Sequence, residues 1–280
     1  MIDAQYRVMN QIDIRSAMQM TRDAGWNQTT VDWQRLLDVS PSGCFAAIVD
    51  GDVIGTVTTI TYEGKLSWIG MLLVDARFRG EGIGTRLLER AIAHLEGRGV
   101  PCLKLDATPA GKPLYQRLGF SCEYEIERWS LKRPTVLGAP HPECPNIDKV
   151  LAFDRTAFGA DRSKLLVSLS QAAPHLTLTA CRKSEIEGYA FGRRGSLADH
   201  LGPWIASSKK VAATLLDEFL RRSQRELVFT DCVVSRPLAR SLVKSRGFTF
   251  QRQLTRMYRG RNLRADQSHR VFAILGPEFG

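Results

Sequence analysis

The feature that most limits the fold of this chain is an internal repeat. Asp52-Val53-Ile54-Gly55-Thr56-Val57 is answered by Glu185-Ile186-Glu187-Gly188-Tyr189-Ala190, Ile69-Gly70 by Leu201-Gly202, and Leu114-Tyr115-Gln116-Arg117-Leu118-Gly119-Phe120 by Leu242-Val243-Lys244-Ser245-Arg246-Gly247-Phe248. The offsets are 133, 132 and 128 residues and the order is kept. Three matches in register point to one fold built twice. Between the copies, Pro134, Gly138, Pro140, Pro142 and Pro145 have the composition of a semi-rigid linker. The expected organisation is a first domain over residues 1–133, a linker over 134–146 and a second domain over 147–280.

Each domain reads as strands alternating with helices. The apolar run 44–49 ends at Asp50-Gly51-Asp52, and Val53 to Tyr62 resumes with β-branched residues, which is a hairpin signal. A second break at Glu63-Gly64-Lys65 leads into the apolar segment 66–74, giving three antiparallel strands. Ile83, Leu87, Leu88, Ala91, Ile92 and Leu95 then recur at helical spacing until Gly97 and Gly99 stop the pattern. Residues 102–105 predict a short strand, 113–118 a short helix closed by Gly119, and 120–131 an extended segment; 14–24 and 31–39 predict two earlier helices. The fold class is α/β (α+β).

Between the strand ending at Val74 and the helix starting near Ile83 lies Arg79-Gly80-Glu81-Gly82-Ile83-Gly84. A pyrophosphate needs converging N–H donors and favours the positive end of a helix dipole. Gly80, Gly82 and Gly84 let the backbone bend and approach a ligand without a Cβ in the way, and Arg79, with Arg77 as a second candidate, adds charge-assisted hydrogen bonds. The spacing G-x-G-x-G fits neither the dinucleotide fingerprint nor the nucleoside-triphosphate loop.

Residues 74–84, Val-Asp-Ala-Arg-Phe-Arg-Gly-Glu-Gly-Ile-Gly, resemble motif A of the GNAT superfamily of acetyl-CoA-dependent N-acetyltransferases, and Leu114 to Phe120 is similar to its motif B. With their flanking strands the motifs cover about residues 6–131. The resemblance implies two GNAT-like domains, each a mixed, mostly antiparallel sheet flanked by helices, with acetyl-CoA as cofactor. It implies that the fourth and fifth strands splay to admit the pantetheine arm, with backbone N–H groups of Leu72, Leu73 and Val74 polarising the thioester carbonyl. Arg79, Gly80, Glu81, Gly82, Ile83, Gly84 and Thr85 would hold the phosphates. Tyr115 matches the family position that gives a proton to the departing thiolate.

No general base is declared. Asp106, at the end of the fifth strand, is the candidate for binding or deprotonating the acceptor amine, and Glu63 is a weaker one. Thr108 stands where motif B regions carry an asparagine, a departure that leaves the acceptor open; Asp106 to Gly111 and Gly25-Trp26-Asn27 look like a bacterial subgroup of tandem GNAT proteins. The second domain repeats neither the glycine loop nor the tyrosine, since Ser207 to Ala213 lacks glycine and Val243 answers Tyr115. It is expected to be a degenerate copy that walls the acceptor site through Tyr189, Arg193, His200 and Trp204.

The net charge of +10 is uneven: residues 1–133 carry 16 basic and 16 acidic side chains, the remainder 23 and 13. Such a surface attracts anions. The tail Arg256, Arg259, Arg261 and Arg264 raises a nucleic-acid reading, but no aromatic-interleaved basic motif accompanies it. The six scattered cysteines form no metal-ligand pattern and are expected as free thiols with no metal. No apolar run reaches transmembrane length and no signal-peptide core follows Met1, so a cytoplasmic protein without a membrane partner is expected. The expected activity is transfer of an acetyl group to a primary amine of a small molecule, with a homodimer left open. The rivals are a protein lysine or N-terminal acetyltransferase and a non-catalytic acyl-CoA sensor.

Overall fold

A computed structural model describes residues 3–134, 147–264 and 268–280. The expected linker at 134–146 lies, apart from Pro134, outside them. The chain forms two compact units, one of Met1–Ser121, Met257–Asn262 and Pro277–Gly280, the other of Cys122–Arg256 and Leu263–Gly276. Both are mixed α/β with mostly antiparallel pairing flanked by helices.

The first unit runs β1 (Gln5–Val8), α1 (Ile14–Asp23), α2 (Thr30–Val39), β2 (Cys44–Val49), β3 (Asp52–Tyr62), β4 (Leu66–Val74), α3 (Ile83–Gly97), β5 (Cys102–Ala107) and α4 (Lys112–Arg117). Its strands lie in the order of their numbers. Asp50 and Gly51, then Glu63 and Gly64, take positive φ at the two hairpin turns, the backbone twist that tight hairpins need. α3 buries Leu87, Leu88, Ala91 and Leu95 against Phe45, Ile54, Val57, Ile69, Leu103 and Leu105 of the sheet. Each fully buried leucine contributes roughly 1.5–3 kcal/mol. α2 begins with a capping box in which Thr29 and Asp32 satisfy each other's backbone N–H groups, and Trp33 is fully buried, its indole N–H donating to the Thr21 hydroxyl at 3.1 Å.

The second unit runs β6 (Ser121–Lys132, from Cys122), α5 (Ile147–Phe158), α6 (Ser163–Ala172), β7 (Thr177–Arg182), β8 (Glu185–Arg194), β9 (Asp199–Ala206), α7 (Lys209–Arg222), β10 (Leu227–Val233), α8 (Pro237–Ser245), β11 (Thr249–Gly260) and β12 (Val271–Ala273). Its strand order is β11-β6-β10-β12-β9-β8-β7. Lys183 and Ser184 take positive φ at the β7–β8 turn, as Asp50 and Gly51 do at the corresponding turn of the first unit. The sequence expectation followed chain order; the units follow strand pairing. β6 therefore serves the second unit although it directly follows α4, and the last residues of β11, from Met257, serve the first beside β5. Arg259 fixes that return, donating to the Leu118 carbonyl at 2.5 Å and to Glu96 of α3 at 2.7 Å.

Candidate active site

The site begins where β4 and β5 part. They pair in parallel at Leu66↔Cys102, Ser67↔Leu103 and Trp68↔Lys104, and no further pair follows. On its other edge β4 stays with β3 through Val74, interrupted by a bulge: Thr58 faces Gly70 and Thr56 faces Leu73, so Met71 and Leu72 together oppose Val57. Met71 takes φ +49° to make the extra residue fit. The Asp75 N–H donates to the Ile54 carbonyl at 2.9 Å. Strand alternation then turns the N–H groups of Val74 and Leu72 away from β3, into the fork that β5 has left, while Leu73 faces β3.

Past Val74 the chain makes a single 3-10 turn at Ala76–Phe78 and enters the glycine loop. Asp75 accepts from the Arg77 N–H and pairs with the Arg77 guanidinium at 2.7 Å, which turns Arg77 back on its own loop. Arg79 is exposed and donates to the Val74 carbonyl at 3.1 Å. Gly80 and Gly82 sit at φ +86° and +79° with open space where a Cβ would be, and exposed Glu81 lies between them. Gly84 packs on Val74, its absent Cβ lying 3.5 Å from Val74 Cγ2. Gly82 is the N-cap of α3 and offers no side-chain cap, and the first turn holds no acidic residue. The Arg86 N–H is the first to bond back, to Gly82, so those of Ile83, Gly84 and Thr85 precede the helical ladder. Buried Ile83 anchors this turn in the core. Donors and dipole suit an anion.

α4 leaves the end of β5 and carries Tyr115. Its ring lies edge-on to Phe120 with centroids 6.2 Å apart and passes so close to Gly111 that a Cβ there would come within 3.0 Å of it. The hydroxyl has no hydrogen-bond partner among the described residues, and burial pushes its pKa up to about 12. The phenol therefore keeps its proton at neutral pH. Thr108 shapes the turn into α4, accepting from the Gly111 N–H with both its hydroxyl (3.2 Å) and its carbonyl (3.0 Å). Asp106 is half-buried near the end of β5, beside the fork. Glu63 is not brought there: it sits in the turn before β4, paired with Lys65 at 3.3 Å, at the opposite end from Val74 of a strand roughly 26 Å long.

The model of the acetyltransferase (GNAT) family matches residues 12–120, and a second acetyltransferase (GNAT) domain model matches residues 150–273. The chain belongs to the GNAT family. It is a tandem GNAT acyltransferase, 25% identical over 260 residues to the holothin acyltransferase of Pseudoalteromonas sp. (strain SANK 73390), across 91% of this chain and 87% of that one. It is 27% identical over 180 residues to the N-acetyltransferase YitH of Bacillus subtilis (strain 168), spanning 60% of this chain and 61% of the relative. The crystal structure of a Pyrococcus horikoshii protein assigned as an acetyltransferase superposes with a TM-score of 0.83 at 23% identity, covering 99% of this chain and 96% of that one, a likeness of fold.

The second GNAT unit differs at both places where the first has an opening. β9 and β10 also begin as a parallel pair, from Val228↔Asp199 to Thr230↔Leu201, and then diverge. Here β12 fills the fork, pairing with β9 through Ala273↔Trp204 and with β10 through Cys232↔Ala273. The following helix α7 is capped by Ser208, whose hydroxyl accepts from the Val211 N–H at 3.3 Å. Trp204 is fully buried in this unit's core beside Phe272, with ring centroids 5.1 Å apart. Tyr189, Arg193 and His200 are buried in the same unit, Tyr189 bonding to Asp154 and His200 lying 3.7 Å from Asp231. Three arginines of the basic tail have internal partners as well: Arg259 as above, Arg256 with Tyr124 (2.5 Å) and Arg264 with Glu123 (3.4 Å).

Among the described residues no three potential metal ligands gather, and no helix is long and apolar enough to cross a membrane. Cys44, Cys102 and Cys232 are buried free thiols, Cys122 and Cys181 exposed ones; Cys144 lies outside the described residues.

Proposed function

We propose that the first GNAT unit is an acetyl-CoA-dependent N-acetyltransferase that moves the acetyl group to a primary amine of a small molecule by direct attack, and that the second unit is a non-catalytic copy. The observation that carries this reading is the open β4–β5 fork together with the uncapped start of α3, which the glycine loop joins along the chain. One end offers N–H groups to a carbonyl and the other offers them to phosphates. Acetyl-CoA, when bound, supplies the activated acyl group. Gly80, Gly82, Gly84, Arg79 and the N–H groups of Ile83 to Thr85 then hold its diphosphate. The backbone at Leu72 to Val74 lines the arm and stabilises negative charge on the carbonyl oxygen. Tyr115 donates its proton to the departing sulfur, and Asp106 orients the amine.

The named relative that this chain matches over most of its length, holothin acyltransferase, supports a small acceptor over a polypeptide one. The enzyme is proposed to work in the cytoplasm. Calorimetry of the full chain with acetyl-CoA is the test, followed by thiol release with a panel of small primary amines and with lysine-bearing peptides. Absence of any heat with acetyl-CoA refutes the reading, and turnover on peptides alone moves it to the protein acetyltransferase.

A further inference from the structure

The fork runs through the sheet, and its two faces differ. Ile69, Leu103, Leu105 and Ala107 face the core beneath α3. By strand alternation Trp68 and Gly70 of β4, with Lys104 and Asp106 of β5, face the other side. An amine reaching a carbonyl held at Leu72 to Val74 must come from that other side, because α3 fills the first.

A segment remote in sequence lies on this face of the same unit. Residues 277–280 cross Trp68 and Gly70: the Trp68 indole N–H donates to the Pro277 carbonyl at 2.9 Å, and the Tyr62 hydroxyl donates to the Phe279 carbonyl at 2.7 Å. Glu278 passes directly over Gly70, its Cα 2.9 Å and its Cβ 3.4 Å from where a Cβ on that glycine would stand. Only glycine allows this approach. The carboxylate is thereby held in the interior, the residue being 2% exposed, on the same side as Asp106. Gly70 is one residue before the bulge and two before Leu72, about 7 Å of strand, a span that an extended glutamate and an amine hydrogen-bonded to its carboxylate cover together. Two carboxylate side chains, with Lys104 on the same face, give it the chemistry to receive a cation.

We propose that Glu278 is the carboxylate that receives the acceptor amine in the first unit, sharing the ammonium with Asp106 and taking from it the proton whose loss lets the amine attack. This rests on the acetyltransferase reading above. Glu278 takes one proton from the bound ammonium and frees the neutral amine; as the new C–N bond forms and the C–S bond breaks, Tyr115 gives its proton to the sulfur and is reprotonated by the second proton leaving the nitrogen. The acceptor that such a face fits is a small alkylammonium compound.

The test compares the wild-type chain with Glu278→Gln and Glu278→Asp, using acetyl-CoA and a series of linear alkylamines and diamines. Expected for Glu278→Gln are a Kd for acetyl-CoA within twofold of wild type, a melting temperature still well above the assay temperature, kcat/KM lowered roughly 10²- to 10⁴-fold, and loss of the acidic limb of the kcat/KM pH profile, with partial recovery in Glu278→Asp. Turnover within threefold of wild type and an unmoved pH profile overturn the proposal, and so does a loss of coenzyme binding or melting temperature that accounts for the lost activity. Wild-type protein that gives no heat with acetyl-CoA refutes the underlying reading instead.

Discussion

Replacing Tyr115 with phenylalanine separates chemistry from architecture. The lost hydroxyl has no partner among the described residues, so its removal strands no donor or acceptor. The ring keeps its edge contact with Phe120 and its seat over Gly111. Stability should therefore change by no more than about 0.5 kcal/mol, and acetyl-CoA affinity should stay within twofold. The catalytic cost is that of removing a positioned proton donor, about 10²- to 10⁴-fold in kcat, or roughly 2.7 to 5.4 kcal/mol of barrier. Because burial raises the phenol pKa to about 12, the wild-type alkaline limb due to this group should lie well above pH 10, beyond the ordinary tyrosine value. Steady-state kinetics from pH 6 to 11, beside calorimetric binding and thermal melting, tests all three statements. A kcat within threefold of wild type would falsify the assignment, and an alkaline limb that survives in the phenylalanine protein would transfer the proton to another group.

Gly111→Ala suits the local backbone, with φ −83°, but places a methyl 3.0 Å from the Tyr115 ring. A shift of a few tenths of an ångström should lower kcat roughly tenfold with binding intact, and an unchanged kcat would show that the ring position is not critical. Gly82→Ala meets no protein atom but forces alanine to φ +79°, at about 1–2 kcal/mol; calorimetry should read this as acetyl-CoA binding weakened about 5- to 30-fold. In the second unit, burial holds His200 neutral down to about pH 3, against an unperturbed value of 6.5. Between those values the unfolded chain binds the extra proton, so stability falls with falling pH by about 1.4 kcal/mol per unit. Urea unfolding at pH 6.5 and pH 5 should show that loss, and His200→Gln should remove it; equal losses in both proteins would exclude His200 as the cause.

Much of the first unit was legible because its signals are local. Asp50-Gly51 and Glu63-Gly64 at hairpin turns, the apolar run of β4 and the helical spacing of α3 each report on adjacent residues, and all three elements formed within a residue or so of expectation. β1 escaped because four mostly exposed residues carry no periodicity, and β12 because three residues cannot announce a strand. The passage of β6 into the second unit, the return of Met257–Asn262 to the first and the approach of Glu278 to Gly70 all depend on pairing across more than a hundred residues. No local pattern encodes that. One trace was present: Gly70 and Gly202 matched in the repeat, and each is crossed by later backbone, Glu278 over Gly70 and Ile274 over Gly202. A glycine kept in both copies signalled close approach before its neighbour could be named.

The strand wedged between β9 and β10 gives the two copies different thermodynamics. A tethered occupant never dissociates, so that fork is filled without a ligand. The first unit's fork has no such strand among the described residues, and on the proposed reading its resistance to unfolding should climb with the acetyl-CoA concentration as RT ln(1 + [L]/Kd), about 2.7 kcal/mol at a hundredfold excess over Kd. Duplication would then have left one fork self-sufficient and the other responsive to what the solution around it contains.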